Sequence, residues 1–264
     1  MISMVRNKLR IAMRLAGLLC HVGLAIGLAL LFGVVRLLWS AGFAALRARL
    51  TRWWLSGLGR LLGLRVETYG LATLNGTLLV ANHISWLDII VLATSVSGDY
   101  VAKQEVRGWP LLGWLAQVGG TLFVRRGDFA AAQHTEARMV ERMKSGRNLI
   151  LFPEGTTTDG RIPGPFKPRL FRAAIRAAAP VQPICISYPA AARVRARVAF
   201  LGDQSLLENL WGLLALPSIP VTVRFMPTLS SEAAVTRSLA SAAWSSVAQG
   251  SGHTFGPLGS SQAA

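Results

Sequence analysis

The run Asn82-His83-Ile84-Ser85-Trp86-Leu87-Asp88 sets an imidazole five residues ahead of a carboxylate. Inside one helix, residues three or four apart face each other, so a spacing of five is poor for a helix alone. It works if His83 precedes a helix and its ring folds back over the first turn, where Asp88 stands. Asp88 would then accept the proton of one ring nitrogen, fix the tautomer and stabilise the imidazolium that forms later. The other nitrogen would be free to take a proton from an alcohol, and imidazole changes charge closest to neutral pH. The pair alone is thin support for catalysis, because a His beside an Asp is more often an ordinary hydrogen-bonded pair.

Other residues suit the binding of a polar acceptor. Lys103 and Arg126 could hold a phosphate or carboxylate, Arg as a planar fork and Lys as a point charge. Out of context both would read as solvated surface charge. When ionised, Glu154 is an acceptor only, which suits a glycerol-type hydroxyl or, more blandly, a surface turn. Thr156 and the backbone at Gly155 could touch the same acceptor. There is no Gly-x-Ser-x-Gly nucleophile turn and no His-Glu-x-x-His. His21, His134 and His253 are far from His83 in sequence. No metal and no cofactor is implied.

These groups need elements to position them. Short apolar runs predict strands over 77–81, 100–102, 122–125, 148–152, 181–187, 194–201 and 221–225. Helical stretches are expected over 86–96, 111–118, 129–144, 170–178, 206–216 and 232–247. Strands alternating with helices predict an α/β fold, a layered domain with a mixed sheet flanked by helices. His83 would lie at a strand-to-helix turn, Glu154 just past another strand. The expected division is 1–65 for membrane-embedding helices, 66–249 for the catalytic domain and 250–264 for a disordered Gly/Ser-rich tail.

With the order of these blocks laid out, the chain resembles the lysophosphatidic acid acyltransferases, the bacterial 1-acylglycerol-3-phosphate acyltransferases and their relatives. The His-x4-Asp block is His83 and Asp88. The Gly-x-x-Phe-x-x-Arg block is met by Gly120, Phe123 and Arg126. Phe-Pro-Glu-Gly-Thr is met by Phe152 to Thr156, and an apolar run around a proline by Val181-Gln182-Pro183-Ile184. Lys103-Gln104-Glu105-Val106 and Trp109-Pro110-Leu111-Leu112-Gly113 fit as well. The resemblance covers about residues 75–223. It implies that His83 deprotonates an acceptor hydroxyl, which attacks the thioester of acyl-carrier protein or acyl-CoA. It also implies a lysolipid acceptor contacted by Lys103, Phe123, Arg126, Glu154, Gly155 and Thr156, and a place on the bacterial inner membrane facing the cytoplasm. No acyl-enzyme is needed, since holding both substrates together supplies much of the rate.

One departure narrows the acceptor. In the phosphatidic acid branch an Arg follows Phe-Pro-Glu-Gly-Thr; here Thr157 stands there, in Thr156-Thr157-Thr158-Asp159-Gly160. The change removes a permanent charge and a bidentate donor. The Thr-rich version is similar to the lyso-ornithine lipid O-acyltransferases, whose acceptor carries no phosphate. Arg125, Arg161 and Lys167 are near enough in sequence to replace the missing charge, so a lysophosphatidic acid acceptor stays open, as does a non-catalytic lipid-binding adaptor.

Composition supports a membrane setting. The chain has 264 residues, is 52% apolar and carries a net charge of +16. Its mean hydropathy of +0.43 is high for a soluble protein. Such charge favours anionic partners, but no zinc-finger spacing, RNA-binding signature or aromatic ladder points to nucleic acid. Residues 1–70 hold Arg6, Lys8, Arg10, Arg14, Arg36, Arg47, Arg49, Arg52, Arg60 and Arg65 against the single acid Glu67. Basic residues beside an apolar segment are expected to bind anionic headgroups. The run 15–35, interrupted only by His21, is long enough to span a bilayer and longer than a signal-peptide core. Basic clusters flank both of its ends, which a simple span would split between two faces. A segment dipping into one leaflet avoids that. The stretch 41–65, with its arginines and Trp53 and Trp54, reads as an interfacial amphipathic helix. Cys20 and Cys185 are too few and too differently placed for a structural disulfide.

Overall fold

The structure, a computed structural model, describes residues 2–38, 42–125, 129–189 and 194–252. Short apolar runs in the middle of the chain become a seven-stranded sheet ordered β1-β7-β6-β2-β5-β3-β4. The strands are β1 Leu64–Tyr69, β2 Leu78–Ala81, β3 Asp99–Lys103, β4 Leu122–Val124, β5 Leu149–Leu151, β6 Val181–Ser187 and β7 Ile219–Phe225. β2 to β6 run parallel; β7 is antiparallel to β6, and β1 pairs parallel with β7. The sheet is therefore mixed.

Central strands read as unbroken apolar runs because helices cover both faces. Leu79 and Ala81 face one layer, with α2 (Phe43–Leu62), α3 (Leu87–Ser95), α8 (Val194–Val198) and α9 (Leu206–Leu214). Leu78 and Val80 face the other, with α6 (Phe129–Lys144), α7 (Arg172–Ala177) and α10 (Thr236–Gly250). The short helices α4 (Gln104–Arg107) and α5 (Leu112–Val118) follow β3.

Two expectations fail on local grounds. The run 194–201, read as a strand, begins as helix α8. Val-Arg-Ala-Arg-Val alternates with a period of two, but Val194 and Val198 are also four apart, and both are buried on one helical face. The edge strand β1 was hidden in the tail of the amphipathic stretch. Gly63, at φ 84°, ends α2 in the left-handed conformation, and Leu64 already pairs with Ile219. The expected tail lies outside the described residues from 253 onward.

The N-terminal segment is a helical hairpin. α1 (Ile2–Leu38) has 37 residues and is about 55 Å long. It runs antiparallel to α2: Phe32 meets Phe43 edge-on, His21 stacks on Trp54, and Gly17 faces Leu61. The ring of His21 bonds the Trp54 carbonyl at 2.9 Å, and the Trp54 indole donates to the His21 carbonyl at 3.0 Å. The polar break in the apolar run is thus satisfied inside the hairpin. The outer face of α1 carries exposed Leu9, Met13, Leu19, Leu30, Val34 and Leu38.

The basic residues of this segment divide in a way the sequence did not suggest. Arg10 donates to the Ala215 carbonyl, and Arg14 to those of Leu214, Leu216 and Pro217 at 2.7–3.3 Å. Both cap the carboxyl end of α9, where orphan carbonyls favour cations. Arg52 does the same for α3, bonding the carbonyls of Ala93 and Thr94. Arg47 turns inward to Asp99. These four arginines tie the hairpin to the domain and are not free for lipid headgroups.

Candidate active site

β2 to β6 end along one edge of the sheet, and the sequence blocks follow those ends. Ala81 leads to His83, Lys103 closes β3, Arg125 follows β4, Phe152 to Thr158 follow β5, and Tyr188 follows β6. In open α/β sheets ligands bind in the crevice outside such carboxyl ends. Residues scattered over a hundred positions thereby share one rim.

The turn after β2 is built around Asp88. Its carboxylate is wholly buried. Oδ2 accepts from the backbone N–H of Ile84 at 2.6 Å, from that of Ser85 at 2.9 Å and from His83 Nδ1 at 2.9 Å. Oδ1 accepts from the Tyr188 hydroxyl at 2.8 Å. The chain from 84 to 86 curls round the carboxylate before α3 begins, which is why a spacing of five succeeds. Asp88 reaches back to N–H groups that the first turn leaves without partners. An ionised carboxylate only accepts, so Nδ1 carries the proton and Nε2 holds the lone pair. Nε2 has no hydrogen bond among the described residues, and the His83 side chain keeps 18% exposure. Its ring stacks on Phe152, 4.0 Å between centroids at 13°.

The backbone of this turn is clamped from three sides. The Asn82 amide bonds both ways with Ile186, donating to its carbonyl and accepting from its N–H. The His83 carbonyl accepts from the N–H of Thr158 and from its hydroxyl. The His83 N–H donates to Glu154 Oε1 at 2.8 Å, and the Gly164 N–H to Oε2 at 2.9 Å. Gly164 suits this close approach, since a Cβ there would lie 2.6 Å from Oε2 and the carboxylate would have to shift. Burial pushes the Glu154 carboxyl up to about 7, against the two backbone donors that favour its charged form. Glu154 thus shows a positioning contact to the backbone of His83, with both oxygens engaged and 3% exposure.

The remaining expected residues lie along the same rim. Phe123 is half-buried in β4 opposite Ala102 of β3, one residue before Lys103. Gly155 takes a φ of 66° in the turn after β5, which its lack of a side chain permits. Thr156 is exposed, whereas the Thr157 hydroxyl turns away to the Phe200 carbonyl. Arg126 lies outside the described residues. No group of three His, Cys, Asp or Glu that could hold a metal occurs among the described residues. Asn82, Phe152 and Thr158 stood inside the motif runs without a role of their own, and Tyr188 and Gly164 were not foreseen. Of those last two, Tyr188 left a trace, a phenol at the end of an apolar strand, where its hydroxyl must find a partner.

Comparison with known proteins gives the family and the fold. A sequence model of the Acyltransferase family matches residues 65–187. The lyso-ornithine lipid O-acyltransferase of Pseudomonas aeruginosa is 43% identical over 207 residues, spanning 78% of this chain and 80% of that protein. The 1-acyl-sn-glycerol-3-phosphate acyltransferase of Neisseria gonorrhoeae is 33% identical over 152 residues, 58% of this chain and 60% of that protein. The crystal structure of the 1-acyl-sn-glycerophosphate (LPA) acyltransferase from Thermotoga maritima shares the fold, with a TM-score of 0.58 at 18% identity over 95% of this chain and 96% of that one. On this evidence the chain belongs to the acyltransferase family and is itself an acyltransferase.

Proposed function

We propose that this protein transfers a fatty acyl chain from the thioester of acyl-carrier protein or acyl-CoA to the hydroxyl of a lysolipid at a membrane, with His83 as general base. The observation that carries the reading is the disposition of the imidazole. Nδ1–H is held by buried Asp88, and Nε2 is left at the rim for the acceptor. The hydroxyl gives its proton to Nε2 as its oxygen bonds the thioester carbon. The C–S bond then breaks and the thiolate takes the proton back from the imidazolium. Lys103, Phe123, Arg126, Gly155 and Thr156 would line the acceptor's approach.

The apolar outer face of α1 lies in one leaflet in this reading. Arg10 and Arg14 at one end and Phe32 at the other dock α1 onto the rest of the protein, which suits a helix lying along the interface better than one crossing it. Exposed Trp53, Arg49 and Arg60 on α2 suit the headgroup layer. The catalytic domain would then face the cytoplasm at the bacterial inner membrane.

The acceptor we favour is lyso-ornithine lipid. Thr157 replaces the arginine of the phosphate-acting branch, and the Pseudomonas relative carries that activity in its name. The second reading is lysophosphatidic acid, which the Neisseria relative and the cations Lys103, Arg125 and Arg161 favour. Purified protein in vesicles, given acyl-carrier protein thioester and either lysolipid, decides between them. Preference for lyso-ornithine lipid is expected; preference for lysophosphatidic acid would overturn the assignment. His83→Ala should lower turnover by about 10²–10⁴-fold while vesicle binding stays intact. A wild type that acylates neither lysolipid would sink the acceptor class altogether.

A further inference from the structure

We infer that Tyr188 is a positioning residue of the catalytic pair, its hydroxyl holding the Asp88 carboxylate at the angle from which Oδ2 meets the His83 ring. The inference rests on the general-base reading and adds a residue to it. Oδ2 already receives three donors, whereas Tyr188 is the one donor to Oδ1 among the described residues. The site is fully buried, so no water stands ready to replace a lost partner. Without the phenol the carboxylate would rotate to share its two backbone amides between both oxygens, and the bond to Nδ1 would loosen.

The contact is also built in from a distance. Asn82 and Ile186 lock the turn after β2 to β6 by two side-chain bonds. His83 is one residue past that lock on one strand, and Tyr188 is two past it on the other. Nothing about filling the core requires a hydroxyl here, since phenylalanine has nearly the same volume. The phenol is the costly choice, because its polar atom needs a partner in the interior. Burial, and then the charge of Asp88, push its titration well above the usual tyrosine range, so it remains a donor.

The test is a double-mutant cycle read by steady-state kinetics. Tyr188→Phe should lower kcat about tenfold, with KM for donor and acceptor within about twofold. In an Asp88→Asn background the same substitution should cost nothing further. Tyr100→Phe is the control: Tyr100 donates to the carbonyl of Ile89, the residue after Asp88, at 2.7 Å. It should leave kcat unchanged, and thermal unfolding of all variants shows which remain folded. Additive losses, an unchanged kcat in Tyr188→Phe, or an equal loss in Tyr100→Phe would each overturn the role of Tyr188. If His83→Ala retains full turnover, the general-base reading fails and this inference fails with it. If His83→Ala is inactive and the cycle is additive, only the role of Tyr188 is lost.

Discussion

Two buried aspartates stand at opposite edges of the sheet and are held by opposite means. Asp99 opens β3 at the amino edge. It lies 2.6 Å from Arg147, 2.9 Å from Arg142 and 3.9 Å from Arg47. Asp88, at the carboxyl edge, receives two backbone amides, a phenol and an imidazole. Permanent cations neutralise Asp99 and turn its charge into adhesion, pinning α2 and α6 to the sheet. Neutral donors hold Asp88 in place without cancelling its charge. That charge remains available when a proton arrives on His83. A burial pattern alone would not tell the two apart; the chemistry of the partners does.

Exchanging each for its amide tests this contrast most sharply. Asp88→Asn should cut turnover by about 10²–10⁴-fold, because its amide oxygen can stand in for Oδ2 but the negative charge that stabilises the imidazolium is gone. Asp99→Asn should leave turnover per folded molecule near wild type and lower stability instead. Three arginines would then share a site whose side chains are 12–32% exposed. Breaking a buried ion pair costs roughly 3–5 kcal/mol, and the lower end applies because Arg147 can swing into water. Thiol-release kinetics and thermal unfolding on the same samples give both readings. Equal losses of activity in the two variants would end the distinction.

The two aspartates also differ in how legible they were. Asp88 was readable because its chemistry is local: six residues, His83 to Asp88, hold the acid, the base and the turn. Asp99 was unreadable because its partners come from α2, α6 and the segment before β5, which only folding brings together. The same rule divides the rest of the site. Phe152 to Thr156 marked themselves by composition, while the bond from Gly164 to Glu154 and that from Tyr188 to Asp88 span ten and a hundred residues. In the fold, β2, β5 and β6 were plain as apolar runs covered on both faces. The strand β1 was not, since Leu64 and Arg65 continue the leucine and arginine pattern of the helix before them. Arginine misled most. Sequence shows where the charges sit relative to an apolar run, but not that Arg14 has the carbonyls of Leu214 and Leu216 within reach.

Glu154 extends the comparison to a third buried acid, one whose backbone donors do not outweigh burial. Its carboxyl titrates near 4.5 in an unfolded chain and at about 7 in the fold. Between those values the folded protein keeps a proton that the unfolded chain has released. Glu154 therefore makes stability fall as pH rises through that window, the reverse of an acid held by cations. Glu154→Gln cannot ionise. The stability advantage of the wild type over this variant should shrink as pH rises from about 4.5 to about 7, measured as paired melting temperatures across buffers. An advantage that grows over the same range would mean that the amides of His83 and Gly164 outweigh burial.

The smallest effect is expected where the same two patterns meet in histidine. His21 and His83 each stack on an aromatic ring and each make one strong ring hydrogen bond. The acceptor for His21 is the neutral Trp54 carbonyl, so its bond fixes a packing angle and stores no charge to answer a proton. His21→Phe keeps the stacking surface and loses one neutral hydrogen bond, worth about 1 kcal/mol. The Trp54 indole keeps its own bond, because its acceptor is the His21 backbone. Turnover should be unchanged and the melting temperature slightly lowered. If turnover instead fell as it does for His83→Ala, an imidazole bound to a carbonyl would matter to catalysis as much as one bound to a buried carboxylate. The partner of the ring would then no longer mark which histidine is the base.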